Sequence, residues 1–205
     1  MVSKSEMINK IQTKIMDHNS SHIFSLSQKD KTQPLYTLHI YNEFADYFKI
    51  TKNNQAFFKK FNKMLFDTNK KSKKGCFNHQ YGDDDQLYNS SVDELANRYL
   101  QAKYTFILIN ENCDPLSVFC INNNYIWNVC TNYNTRNKGH MKHLLTHVLK
   151  LIEYNMLKVT FSELRLTVKH INPIKPMLLK FYQSFGFKIE TNSEDQITMK
   201  LVIRQ

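Results

Sequence analysis

The chain has 205 residues with 41% hydrophobic and 13% aromatic content, which excludes a disordered protein and supplies one sizeable core. Four Gly and four Pro are too few for a turn-dense β-sandwich. A net charge of +10 and a pI near 9.3 fit a phosphate-bearing ligand, a nucleic acid or an acidic partner, and equally a general basic bias.

Residues 3–17 are predicted as a short helix, with Met7, Ile8, Ile11, Ile15 and Met16 on one side. The segment lacks the continuous apolar core of a secretory signal. No run of about 18 apolar residues occurs, so no helix is expected to span a membrane, and an intracellular, cytoplasmic location is expected. Residues 22–26 and 35–41 read as strands around a polar loop. Asn42 can cap the helical segment that follows, which the polar stretch 51–55 divides in two. In its second half Phe57, Phe61, Met64 and Leu65 recur at i, i+4, i+7 and i+8, one face of a helix. Residues 68–90 carry charge blocks of both signs without periodicity, which predicts a long surface loop. Its KKSKK run suits a polyanion and Asp83 to Asp85 a cation, but a solvated loop accounts for both.

Ser91 and Glu94 form a capping box that opens a helix over 92–101, with Val92, Leu95, Ala96 and Tyr99 on its apolar side. Strands over 104–109, 116–121 and 125–131 follow as an antiparallel meander joined by Asn-rich turns. A helix over 138–154 carries Met141, Leu144, Leu145, Val148 and Ile152 on one stripe. Its other face holds His140, Lys142, His143, His147 and Lys150. That histidine spacing would suit zinc, but the neighbouring lysines oppose a cation, so a solvated face and no metal are expected. Next come a strand over 163–168, the proline-punctuated loop HINPIKP, a short helix over 177–185 ended by Gly186, and a hairpin of 187–190 with 197–203. The four cysteines, Cys76, Cys113, Cys120 and Cys130, make no C-x-x-C pair; their placement predicts reduced, partly buried thiols.

The stretch from Tyr125 to Met156 has the clearest chemistry. A strand feeds a helix through a turn rich in Asn and basic residues, with Gly139 just before the helix. The N–H groups of a first helical turn and the helix dipole together favour an anion there. Glycine permits close backbone approach.

In the order of its elements the chain resembles the GNAT superfamily of acyl-CoA-dependent N-acyltransferases over residues 90–205, with a divergent, helical N-terminal portion at 1–90. Three patterns carry the resemblance. The run Arg136-Asn137-Lys138-Gly139-His140-Met141 is similar to the family's Q/R-x-x-G-x-G/A, with Met141 in place of the second glycine. The strand ending Val129-Cys130-Thr131 is similar to the family's splayed strand before that turn. Phe181-Tyr182 with Gly186-Phe187 is similar to the family's L/F-Y-x-x-x-G-F, after Asn172 and a longer gap than the family has.

The resemblance implies an α/β fold with a mixed, mostly antiparallel twisted sheet of six to seven strands flanked by helices, in one domain over 1–205. It implies direct transfer of an acetyl group from acetyl-CoA to a primary amine, on a small molecule or on a protein lysine or N-terminus. Main-chain groups of Val129, Cys130 and Thr131 would hold the acyl and pantetheine portion. The turn from Arg136 through Asn137, Lys138, Gly139, His140, Met141 and Lys142 would hold the pyrophosphate, and Asn172 would add a contact. Tyr182 would protonate the departing thiolate, as a phenol with a pKa above that of a thiol can. The cleft that holds thioester and amine would lie between the 125–131 strand and the 163–168 strand, with acceptor specificity in residues 1–90 and the HINPIKP loop.

The general base is not evident, because the 125–131 strand has no carboxylate. His170, Glu111 and Asp114 are candidates, and an amine arriving neutral would need none. The missing base and Met141 keep open a catalytically inactive GNAT-like module that binds acyl-CoA or a protein. Nucleic acid is not the expected partner, since no base-reading motif accompanies the charge. The monomeric or dimeric state is left open.

Overall fold

The computed structural model describes residues 11–15, 21–26, 36–42, 55–65 and 102–203, apart from 158, 171 and 173. Two compact units result: Met1–Cys120 with Asn128–Leu144, and Ile121–Trp127 with Leu145–Gln205.

The first unit contains β1 (Ile11–Ile15), β2 (Ser21–Leu26), β3 (Tyr36–Asn42), α1 (Gln55–Leu65), β4 (Tyr104–Asn110), most of β5 (Pro115–Asn122) and the end of β6 (Tyr125–Thr131). Its strands are ordered β1-β2-β3-β4-β5-β6. Antiparallel registers join β1 to β2, β2 to β3 and β3 to β4. The helix expected over 3–17 is corrected at its end: residues 11–15 are a strand. Isoleucines placed four apart fit a helical stripe, but Ile11-Gln-Thr-Lys-Ile15 also alternates with period two and is rich in β-branched residues. Pairing of Ile11 with Leu26 and Ile15 with His22 decides between them.

β4 and β5 are buried along nearly their whole length, which is why both read as apolar runs and not as alternations. Phe106 and Phe119 meet in this core with ring centroids 5.1 Å apart. In α1, Phe61, Met64 and Leu65 are buried as the periodicity predicts. On its exposed side Lys60 reaches the β4–β5 turn, bonding Asp114 at 2.7 Å and the Asn112 carbonyl at 2.9 Å.

The second unit contains the start of β6, most of α2 (His140–Glu153), β7 (Glu163–Lys169), α3 (Lys175–Gln183), β8 (Lys188–Asn192) and β9 (Gln196–Val202). Its strands are ordered β6-β7-β9-β8. β6 and β7 run parallel, with Tyr125 opposite Arg165; β7 with β9 and β9 with β8 are antiparallel. Leu164, Leu166 and Val168 on β7 and Ile197 and Met199 on β9 are buried, and α3 packs against β7. The intervening residues carry a charge network. Arg165 bonds Glu163 at 2.8 Å and Glu190 at 3.1 Å, and Lys200 bonds Glu190 at 2.9 Å. Gly186 ends the α3 region at φ +90, where a Cβ would come within 3.3 Å of Leu201 Cδ1.

The registers of the first unit are antiparallel and those of the second mixed, so mostly antiparallel strands with helices, the expected class, result; nine strands are described where six to seven were expected. No helix among the described residues is long and apolar enough to cross a membrane. The helix expected before residue 51, the loop over 68–90 with KKSKK and Asp83 to Asp85, and the helix over 92–101 lie outside the described residues.

Candidate functional site

β6 has the boundaries the sequence predicts, but its interior is irregular. Asn128 takes φ 51, a left-handed conformation that breaks an extended run as bulge residues do. Its Nδ2 donates to Cys120 Sγ at 3.8 Å. The residue type carries the signal for this break, since Asn tolerates positive φ better than most other non-glycine residues. Beyond it the strand is fastened to β5. Thr131 Oγ1 lies 3.1 Å from Ser117 Oγ, the Asn132 N–H donates to the Leu116 carbonyl at 2.9 Å, and Asn132 Nδ2 donates to the Pro115 carbonyl at 3.1 Å.

The turn that follows is shaped by Asn132 and two left-handed residues. The Asn134 N–H donates to Asn132 Oδ1 at 3.1 Å, capping a single 3-10 turn at Tyr133–Thr135. Arg136 lies back over this turn. Its guanidinium is 5.0 Å from the Tyr133 ring centroid, and its Nε donates to the Thr131 carbonyl at 3.4 Å. Asn137 at φ 63 and Gly139 at φ 77 bracket Lys138. Left-handed residues in such turns aim successive N–H groups into one concavity that suits an anion. A Cβ at Gly139 would meet nothing within 4 Å, so its φ is the reason for glycine there and the space beside it is open. α2 then begins, with the His143 N–H donating to the Gly139 carbonyl at 2.9 Å.

His140 departs from its expected place on the solvated face: it is buried, at 6% exposure. Burial pushes its imidazole below the usual histidine range, and the charge of Lys138 adds to the shift. Met141 is half-buried, Lys142 exposed, and His143 and His147 half-buried. The thiol expectation is corrected at one position. Cys113 and Cys120 are free, Cys120 pushed up to about 12 by burial, whereas Cys130 is disulfide-bonded. A strand position reports burial, and it does not report whether the sulfur is bonded.

In the second unit Tyr182 is buried on α3, edge-on to Phe181 at 5.1 Å and Phe187 at 5.8 Å. Burial pushes its phenol well above the usual range, which keeps it protonated. Asn172 shapes the β7–α3 loop: its Oδ1 accepts the Ile174 N–H at 3.1 Å and its carbonyl accepts the Lys175 N–H at 3.0 Å. The chain therefore gathers Val129 to Lys142 in one strand-turn-helix crossing and sets Asn172 and Tyr182 on another.

The candidate bases are already engaged or solvated. Asp114 is held below the usual carboxylate range by Lys60 and Asn110, working against its partial desolvation. Glu111 is exposed in the β4–β5 turn. His170 Nε2 lies 3.1 Å from Asn192 Oδ1, and its Nδ1 lies 3.0 Å from Lys175 Nζ.

No family model and no curated protein matches the chain. Among solved structures, an N-acetyltransferase from Staphylococcus aureus Mu50 is similar over 82% of this chain and 99% of its own, at 14% identity and a TM-score of 0.48. The ribosomal-protein-S18-alanine N-acetyltransferase from Escherichia coli is similar over 56% of this chain and 78% of its own, at 20% identity and a TM-score of 0.44. A protein of Bacillus anthracis str. Ames, assigned as a streptothricin acetyltransferase and solved in complex with acetyl coenzyme A, is similar over 52% of this chain and 67% of its own, at 17% identity and a TM-score of 0.41. Measured against the GNAT turn pattern, Arg136 and Gly139 stand at their places, Met141 replaces a glycine, and Asn137 adds a second left-handed residue.

Proposed function

We propose that the chain is one GNAT-like domain that transfers an acetyl group from acetyl-CoA directly to a primary amine. The observation that carries this reading is the crossing from β6 to α2. Two left-handed residues, an open space at Gly139 and the start of a 14-residue helix follow one another there. N–H groups of Lys138, Gly139, His140 and Met141 bind the pyrophosphate, with Arg136, Asn137 and Lys142 around it. Main-chain groups of Val129, Cys130 and Thr131 pair with the pantetheine arm as an added strand would. One of these N–H groups polarises the thioester carbonyl. The disulfide at Cys130 leaves this role intact, because only main-chain atoms take part.

Tyr182 supplies the proton to the departing sulfur; its buried, protonated phenol supports that role. Asn172 acts through the loop it shapes. No carboxylate is assigned as base: Asp114 is committed to Lys60 and His170 to Lys175, so the amine enters neutral or loses its proton to water. Thiol release from acetyl-CoA across a panel of primary amines tests the reading. Amine-dependent release supports it; binding of acetyl-CoA without release by any amine supports an inactive binding module instead.

A further inference from the structure

The second crossing, together with Asn192 at the end of β8, brings together three side chains that acetyl transfer, as proposed above, does not use. Asn192 Oδ1 accepts, so His170 Nε2, 3.1 Å away, must carry the proton. That tautomer leaves the Nδ1 lone pair free to accept from Lys175 Nζ at 3.0 Å. An amine in hydrogen-bond reach of a base, which a third group orients, is the arrangement of an activated nucleophile. Lys175 is half-buried and so remains open to solvent on one side. It is the first residue of α3, a position where exposed N–H groups favour a negative side chain over a positive one. Ile174 and Met177, close to it in the chain, are exposed at 46% and 56% and give an acyl group apolar surface.

We propose that Lys175 is a self-acylation site, with its ε-amine as nucleophile, His170 as the base and Asn192 orienting that base. The donor is an acyl thioester; this donor class is all that the proposal takes from the proposed function. The Lys175 ammonium gives one proton to His170 Nδ1. The neutral nitrogen then forms a bond to the thioester carbonyl carbon, and the carbon–sulfur bond breaks with its electron pair leaving on sulfur. The thiolate takes the proton from His170, and the second proton lost by nitrogen goes to water. An amide at Lys175, a free thiol and one released proton result, with no change of oxidation state.

The test incubates the full chain with S-acetyl-N-acetylcysteamine, a thioester without a nucleotide, and in parallel with acetyl-CoA. Peptide mass spectrometry follows acetylation at Lys175 and at Lys180, an exposed lysine of the same helix. Lys175 is expected to react at least about tenfold faster than Lys180 with the short thioester. His170→Gln removes this advantage without slowing Lys180, and Asn192→Ala reduces it. Equal rates at the two lysines, or an advantage that survives both substitutions, overturn the proposal. Failure of the chain to bind acetyl-CoA counts against the proposed function alone, because the short thioester needs no nucleotide site.

Discussion

The two strand-to-helix crossings of this chain are built from different materials. Between β6 and α2 the turn is made by the main chain, with left-handed Asn137 and Gly139 and an asparagine cap at Asn132. Between β7 and α3 side chains join the main-chain bonds: Asn172 holds Ile174 through its side chain and Lys175 through its carbonyl, and His170 joins Lys175 to Asn192. A main-chain turn offers N–H groups whatever the neighbouring side chains are, which suits a bound phosphate. A side-chain turn offers groups that can exchange protons, which suits reaction. The first crossing is therefore the candidate for holding a donor and the second for chemistry.

The largest expected effect comes from the second crossing. Tyr182→Phe should lower kcat by about a hundredfold with acetyl-CoA affinity near wild type, because only the proton donor is removed. Steady-state turnover alongside equilibrium binding checks this, and unchanged turnover at every pH removes Tyr182 as the acid. Next comes Gly139→Val. The φ of 77 makes any side chain strained, so folding stability should fall by about 1–2 kcal/mol, read by urea unfolding. Gly139→Ala should show much of this loss, since the space is open and the backbone conformation is the obstacle. In the side-chain crossing, Asn172→Ala should cost about 1 kcal/mol by freeing the Ile174 N–H. A loss at Asn172 larger than that at Gly139→Val would erase the distinction between the crossings.

The smallest effect is on pH dependence. His140 is held below its ordinary range by burial, so on acidification the unfolded chain takes up its proton first. Its contribution is intact above the unfolded histidine value and is lost as pH falls from there through the lowered folded value. Urea midpoints at about pH 7.5 and about pH 5 should differ more in wild type than in His140→Gln. An equal difference in both would place the acid sensitivity elsewhere.

Much of this was legible in the sequence where the signal is local. β4 to β9, α2 and α3 follow from apolar period and from turn residues, and Gly139 and Gly186 mark positions that need positive φ. Where partners are distant, the sequence is silent. Residues 11–15 fit both periods until β2 is placed beside them. Asn192 stands 22 positions from His170, so the orientation of that imidazole is not written near it. The burial of His140 escaped for a similar reason. Helical periodicity puts it on the polar side of α2, and periodicity takes no account of tertiary burial at a helix start.

Calorimetric titration of acetyl-CoA into the wild-type chain and into Gly139→Val tests the central claim, that the β6–α2 turn holds the donor. Saturable one-to-one binding by wild type, weakened by at least about tenfold in Gly139→Val, is the predicted result. No saturable heat with wild type, or equal affinity in the two chains, would contradict it.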